Sequence, residues 1–341
     1  LTYMRYKRLP VLWRKTSQAD ALGGEKGAVD SGPQFGTWPK RFAHLRPAVI
    51  PVMVFPDGGI MHESTAVLLH LEKQHPSRPA LPRDPGLRFL AMLLEDFADE
   101  WVTKCMYGFR WNTKRDAEHA AQLLAVDAVT PLAADAVDAI AAFVLDKQRG
   151  RTEIVGCPDS TIHPTFHRLC SALEKCFTGT DEEPATPFIF GDLPSVADFA
   201  LFGQMSQFLI DLTPTQLLPE KYKRVAAWLW RMQDTSGVET TGAQERLSSG
   251  CRELLKLCAE SYLPFLQANA RAVAAGEKTV TLPIFGGSVT HSQRPFKWQV
   301  QCYKTLQKLL ADAPAESAPD LHQCLKETGC LEFLSPLQAA L

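Results

Sequence analysis

Residues 49–72 read VIPVMVFPDGGIMHESTAVLLHLE. An apolar run is broken by Pro51, resumes over residues 52–55, turns at Pro56-Asp57-Gly58-Gly59 and resumes briefly at Ile60-Met61. Glu63-Ser64 then opens a helical pattern whose apolar face is Val67, Leu68 and Leu71. A proline inside a buried strand is disfavoured because it removes a ladder donor. One accommodation is a bend at the Ile50–Pro51 bond, with a cis peptide among the options, that presents the backbone before the proline to a ligand. Asp57-Gly58 between two apolar runs is a hairpin signal. Ser64 is placed to cap the helix that follows. Strand, bend, hairpin and helix mouth together make a small-anion site beside an extended backbone edge. The plainer reading of the same residues is a βαβ-type edge with an ordinary capped helix.

A second stretch weighs on that choice. Residues 187–205, PFIFGDLPSVADFALFGQM, read as a loop feeding a helix. Ser195 stands at N-cap and Asp198 at N3, a carboxylate variant of the capping box. Pro194 at N′ leaves the hydrophobic staple to Phe199 weak. Leu93-Leu94-Glu95-Asp96 with Asp99-Glu100-Trp101 precede this segment, and Val225, Trp228 and Arg231-Met232 follow it.

These motifs, in this order, resemble the glutathione transferase family. The resemblance implies an α/β thioredoxin-like N-terminal domain, incomplete at its start, followed by an all-α glutathione-transferase-type C-terminal domain with an extension. It implies that Ile50 and Pro51 pair backbone with the cysteinyl part of glutathione. Glu63 and Ser64 would hold the γ-glutamyl end, the acid meeting its ammonium and the helix mouth its carboxylate. The Gly-Asp-x-Pro-Ser-x-Ala-Asp signature at residues 191–198 serves folding in the family, so Ser195 and Asp198 take a structural capping role. Phe97 and Trp101 lie on the helix that lines the electrophile pocket in the family, although aromatics at helical spacing are more simply core.

The expected function is therefore binding of glutathione as co-substrate and conjugation of its thiolate to a small electrophile. The alternatives are a non-catalytic interaction or assembly module and a glutathione-dependent thiol reductase. A homodimer is among the assemblies the resemblance allows, in a cytoplasmic setting without nucleic acid, membrane or metal. Two departures matter. Val49 stands where some relatives carry a basic or amide residue for the glycine carboxylate, and Arg14 and Lys40 are substitutes better read as solvated surface charges. Leu1 is not a methionine, and residues 1–15 read as the end of a first helix followed by a strand at 11–14. The family's catalytic Tyr, Ser or Cys would then lie upstream, and no catalytic residue is assigned.

Composition agrees with these expectations. The 341 residues suffice for two packed domains, and 36 Lys and Arg against 38 Asp and Glu create no global field for nucleic acid or membrane. No run approaches the ~18 apolar residues of a spanning helix. Nine cysteines without a C-x-x-C pair point to free thiols rather than a disulfide or zinc framework. His163 and His167 have helical i, i+4 spacing but no third ligand at a motif distance, so solvent-facing histidines are expected.

Along the chain, domain one spans 1–78 and contains a polar, glycine-rich loop at 16–36. Gly23-Gly24-Glu25-Lys26-Gly27 within that loop lacks phosphate-loop spacing. A short helix is expected at 38–45. Four prolines and a glycine within 75–87 mark the linker, bounded at 79–86. The helical domain runs 87–240. Residues 241–341 form an extension with helical 247–275 interrupted at Pro264, a hairpin at 279–291 and a helix from Pro295 to about Leu310. Its roles to weigh are covering the helical domain, closing a cleft or building an oligomer contact.

Overall fold

The structure, a computed structural model, describes residues 1–13, 29–30, 37–38, 42, 44–45, 51–128, 134–148, 150–179, 183–242, 246–314 and 321–334. Arg14, Lys40, Val49, Ile50 and the Gly23 to Gly27 run lie outside them. Two compact units emerge, one of Leu1, Tyr3–Pro79 and Ala117–Arg149, the other of Thr2, Ala80–Asp116 and Gly150–Leu341.

The chain opens on α1 (Thr2–Tyr6). The strand expected at 11–14 is not formed by residues 11–13, whose side chains are exposed and which pair with no strand among the described residues. Lys7 Nζ and Tyr3 Oη both donate to Glu72 Oε1 at 2.8 Å, and Tyr6 Oη donates to the Pro79 carbonyl at 3.1 Å. Within the polar stretch, β1 (Val29–Asp30) pairs antiparallel with β2 (Thr37–Trp38), so Trp38 belongs to a strand rather than to the start of a helix.

β3 (Val52–Val54) and β4 (Ile60–His62) form an antiparallel hairpin with Val52 opposite His62 and Val54 opposite Ile60. Its turn follows from residue chemistry. Gly58 sits at φ +85, where a side chain is strained, and the Asp57 carboxylate accepts from the Gly59 N–H at 2.8 Å. The chain then enters α2 (Ser64–Gln74), which buries Val67 and Leu71. The thioredoxin-like domain expected of residues 1–78 is present here only as this hairpin and helix. The parallel pairing that such a sheet also needs is not present among the described residues, where every sheet is a two-stranded antiparallel pair.

Asp84 caps α3 (Pro85–Phe97), accepting from the Leu87 N–H at 2.8 Å with Pro85 in the first turn. One π-helical turn, Ala98–Val102, carries the chain into α4 (Thr103–Trp111). Next come α5 (Lys114–Ala128) and α6 (Ala134–Gln148). Residues 117–149 cluster with the first unit rather than with the rest of the expected 87–240 domain. Within that unit Gln122 Nε2 donates to Asp138 Oδ1 across the two helices at 3.2 Å.

The second unit continues with α7 (Arg151–Ile154), α8 (Asp159–Phe177), α9 (Val196–Met205), α10 (Leu212–Lys221) and α11 (Lys223–Met232). Its extension adds α12 (Ser249–Leu257), a π-helical turn at Cys258–Tyr262 and α13 (Leu263–Ala275). That turn precedes Pro264, whose ring has no N–H for the helix ladder, and the widened turn absorbs the defect. The hairpin of β5 (Val280–Ile284) and β6 (Val289–Gln293) follows, then α14 (Lys297–Ala311), α15 (Leu321–Glu327) and α16 (Leu331–Leu334).

The extension is not a separate body. α12 and β6 pack on α8, and α14 packs on α13 and α3. Its residues Tyr262 and Phe265 are fully buried, as are Trp101, Phe166, Phe190, Phe208 and Trp228. The second unit is thus one core, and an amphipathic chain of this length buries its apolar faces there rather than in a domain of its own.

Candidate functional site

Pro51 precedes β3 and is exposed, so the proline lies outside the ladder and removes no bond from it. The hairpin returns the chain through His62 to the mouth of α2. Glu63, the N-cap residue, holds φ 80 and ψ 118, a conformation sparsely populated by residues with a side chain. Ser64 is therefore the first helical residue and not the N-cap expected from the sequence. No side-chain cap closes the helix, and Ser64 is exposed. The first intrahelical bond runs from the Val67 N–H to the Glu63 carbonyl at 3.0 Å. Beside this mouth the Nδ1 of His62 is buried and has no hydrogen-bond partner among the described residues.

The structure thus brings Pro51, Glu63 and Ser64 onto one ββα unit, while Ile50 lies outside the described residues. An uncapped helix N-terminus with an exposed hydroxyl and an adjacent carboxylate offers donors to an anion and an acceptor to an ammonium. The two tyrosines of α1 are occupied elsewhere. Tyr3 donates to Glu72, with burial and then that carboxylate pushing its pKa up, and burial pushes Tyr6 up to about 12.

Phe97 and Trp101 require correction as pocket residues. Both are 0% exposed. Trp101 packs on Tyr262, Phe265 and His291, and its indole N–H donates to Thr165 Oγ1 at 3.3 Å. Phe97 packs on Tyr262. Aromatics at helical spacing are here core, packed under Tyr262, Phe265 and His291 of the extension.

The capping segment has the geometry its sequence implied. Asp198 Oδ2 accepts from the Ser195 N–H at 2.9 Å and from its hydroxyl at 2.8 Å. Asp198 Oδ1 accepts from the Ile189 N–H at 3.1 Å and from Trp228 Nε1 at 3.3 Å. Burial raises the Asp198 carboxyl to about 6 even though all four hydrogen bonds favour its charge.

A buried polar cluster was not anticipated. Lys104 Nζ donates to the Val155 carbonyl and to Gln293 Oε1, each at 2.6 Å, and lies 5.5 Å from the ring centres of Trp101 and Phe265. His291 contacts Thr161 Oγ1 at 3.3 Å and Gln293 Oε1 at 3.1 Å. Burial lowers the Lys104 pKa and, with Lys104 adding to it, brings His291 down to about 3. Gln293 and Cys157 also line an open cavity of about 630 Å³ with Asn112, Lys278 and Arg294. Burial pushes the Cys157 thiol up to about 11, which keeps it protonated and weakly nucleophilic at neutral pH. The sequence signal for this cluster was strand alternation, since β6 turns His291 and Gln293 inward while Thr290 and Ser292 face out. Lys104 likewise follows Trp101 at helical spacing.

His167 Nδ1 contacts Tyr222 Oη at 2.8 Å, and among the described residues no group of three His, Cys, Asp or Glu side chains is arranged to hold a metal. Among them, too, no helix is long and apolar enough to cross a membrane.

Comparison with known proteins bears on the helical part. Searches of curated proteins and of solved structures gave no match. Residues 133–231, less than a third of the chain, match the family model described as glutathione S-transferase, C-terminal domain. The matched segment, which includes α8, α9 and all but the last residue of α11 with Ser195, Asp198 and Trp228, is similar to that domain.

Proposed function

We propose that this chain is a glutathione transferase-like protein that binds glutathione at the mouth of α2 and presents its thiol to a small electrophile. The observation that carries the proposal is the backbone of Glu63, held at φ 80 and ψ 118 directly before an exposed, uncapped Ser64. Strain of this kind costs roughly 1–3 kcal/mol, and it persists at ligand clamps because the geometry it fixes is used. In this reading the γ-glutamyl carboxylate receives the Ser64 hydroxyl and the first-turn N–H groups, and its ammonium meets Glu63. The backbone at Ile50, before Pro51, pairs with the cysteinyl unit. The match over residues 133–231 supports the pairing of such a site with a helical second domain.

Activation of sulfur is not assigned to any described residue. The α1 tyrosines already serve Glu72 and Pro79, and all nine cysteines are buried, which counts against a thiol reductase built from the residues present. Calorimetric titration with glutathione tests the binding half, and thioether formation with an electrophilic haloarene tests the chemistry. Binding with no turnover favours the non-catalytic module, whereas absence of binding contradicts the proposal.

A further inference from the structure

Two of the nine buried thiols meet. Cys176, near the end of α8, places its Sγ 3.9 Å from that of Cys251 on α12, a residue 75 positions away in sequence. No other pair of cysteines among the described residues is in Sγ–Sγ contact. The approach is permitted by Gly250. A Cβ there would lie 2.3 Å from the Cys176 nitrogen and 2.7 Å from both the Ala172 carbonyl and Cys176 Sγ. Glycine at this crossing lets the α12 backbone rest directly on α8.

The surroundings of the pair are polar for a core. Ser248, the N-cap of α12, accepts from the Cys251 N–H at 3.2 Å and turns its hydroxyl toward Cys251 Sγ at 3.3 Å and Cys176 Sγ at 3.8 Å. Cys251 Sγ also donates its S–H to the Ile189 carbonyl at 2.9 Å. Cys251 is thus in the first turn of a helix, its thiol held by the Ile189 carbonyl, with the Ser248 hydroxyl and the Cys176 thiol beside it to stabilise the sulfur once its proton is given up. The hydrogen bond from Cys176 holds Cys251 below the ordinary thiol range against the opposing effect of burial, and Cys176 is pushed up.

We propose that Cys176 and Cys251 form a peroxide-responsive disulfide latch that fastens the C-terminal extension to the helical domain. The Cys251 thiolate attacks one oxygen of hydrogen peroxide and breaks the O–O bond, giving a sulfenic acid and hydroxide, which takes up the released proton as water. The Cys176 sulfur then attacks the Cys251 sulfur, forming the S–S bond and breaking the S–O bond. The hydroxide so released takes the Cys176 proton as a second water. Two thiols lose two electrons and peroxide is reduced to two waters. Closure of the S–S bond brings the two sulfurs from 3.9 Å to about 2 Å.

The latch is independent of glutathione binding and is tested on the full chain. Reduced protein is exposed to hydrogen peroxide, its remaining thiols are alkylated, and it is digested without reductant for mass spectrometry. The expected result is one joined peptide pair containing Cys176 and Cys251, an intact mass lower by two hydrogens before alkylation, and reversal by dithiothreitol. The melting temperature should rise by roughly 5 °C or more on oxidation, and the rise should vanish in Cys176→Ser and Cys251→Ser. Recovery of both cysteines as alkylated thiols or sulfinic acids overturns the latch, as does joining without a change in melting. The wild-type peptide map decides the matter even if a serine variant fails to fold.

Discussion

Glu63-Ser64 and Ser195–Asp198 are both short acid-and-serine motifs at helix starts, yet they stand in opposite physical states. Ser195 and Asp198 are 0% exposed, and one carboxylate satisfies four donors from three residues. Ser64 is exposed, Glu63 holds strained backbone, and the neighbouring His62 nitrogen is unpartnered among the described residues. A motif that consumes its own hydrogen-bonding capacity serves the fold, and one that keeps capacity open at the cost of strain is available to a ligand.

Substitutions sharpen this contrast. Asp198→Ala strands four buried donors and should cost about 3–5 kcal/mol in denaturant unfolding. A loss below ~1 kcal/mol would show that the segment is not the keystone described. The charge of Asp198 has its own signature. Its folded pKa, raised by burial to about 6, exceeds the unfolded value near 3.9, so the folded state binds the extra proton. That contribution to stability is complete below about pH 4 and is lost as pH rises through about 6. The stability advantage of wild type over Asp198→Asn should therefore shrink by roughly 2 kcal/mol between pH 4 and pH 7. A constant difference over that range would place the carboxyl at an ordinary pKa.

At the other motif the sign reverses. Glu63→Gly removes the side chain from a positive-φ position and should stabilise the protein by about 1 kcal/mol while weakening glutathione binding. Destabilisation would mean that the Glu63 side chain holds the fold together.

Much of the architecture was legible because the chemistry was local. The Asp57-Gly58 turn, the helix after Glu63, the Asp198 carboxylate at N3 and the β5–β6 hairpin each follow from residues within a few positions of one another. What escaped was set by distant packing. Ser64 slipped one place from N-cap into the helix because Glu63 took a backbone conformation that a carboxylate side chain does not advertise. Helical spacing marked Phe97 and Trp101 as core more simply than as pocket walls, but not that their partners would be Tyr262 and Phe265, some 160 residues further on. The same long-range cover buried the Lys104 amine, since its acceptor Gln293 arrives from the extension. Residues 11–13 of the strand expected at 11–14 differ for a related reason, as apolar residues make a strand only beside a partner edge and none pairs with them among the described residues.

Ser64→Ala gives the most direct test of the glutathione site. The side chain is exposed at the first position of α2 and caps nothing, so unfolding stability should change by less than about 0.5 kcal/mol. Calorimetric titration of wild type and variant with glutathione should show binding weakened by about 1.5–3 kcal/mol, the loss of a charge-assisted hydrogen bond. Equal affinity in the two proteins would contradict the assignment of the helix mouth as the glutathione site.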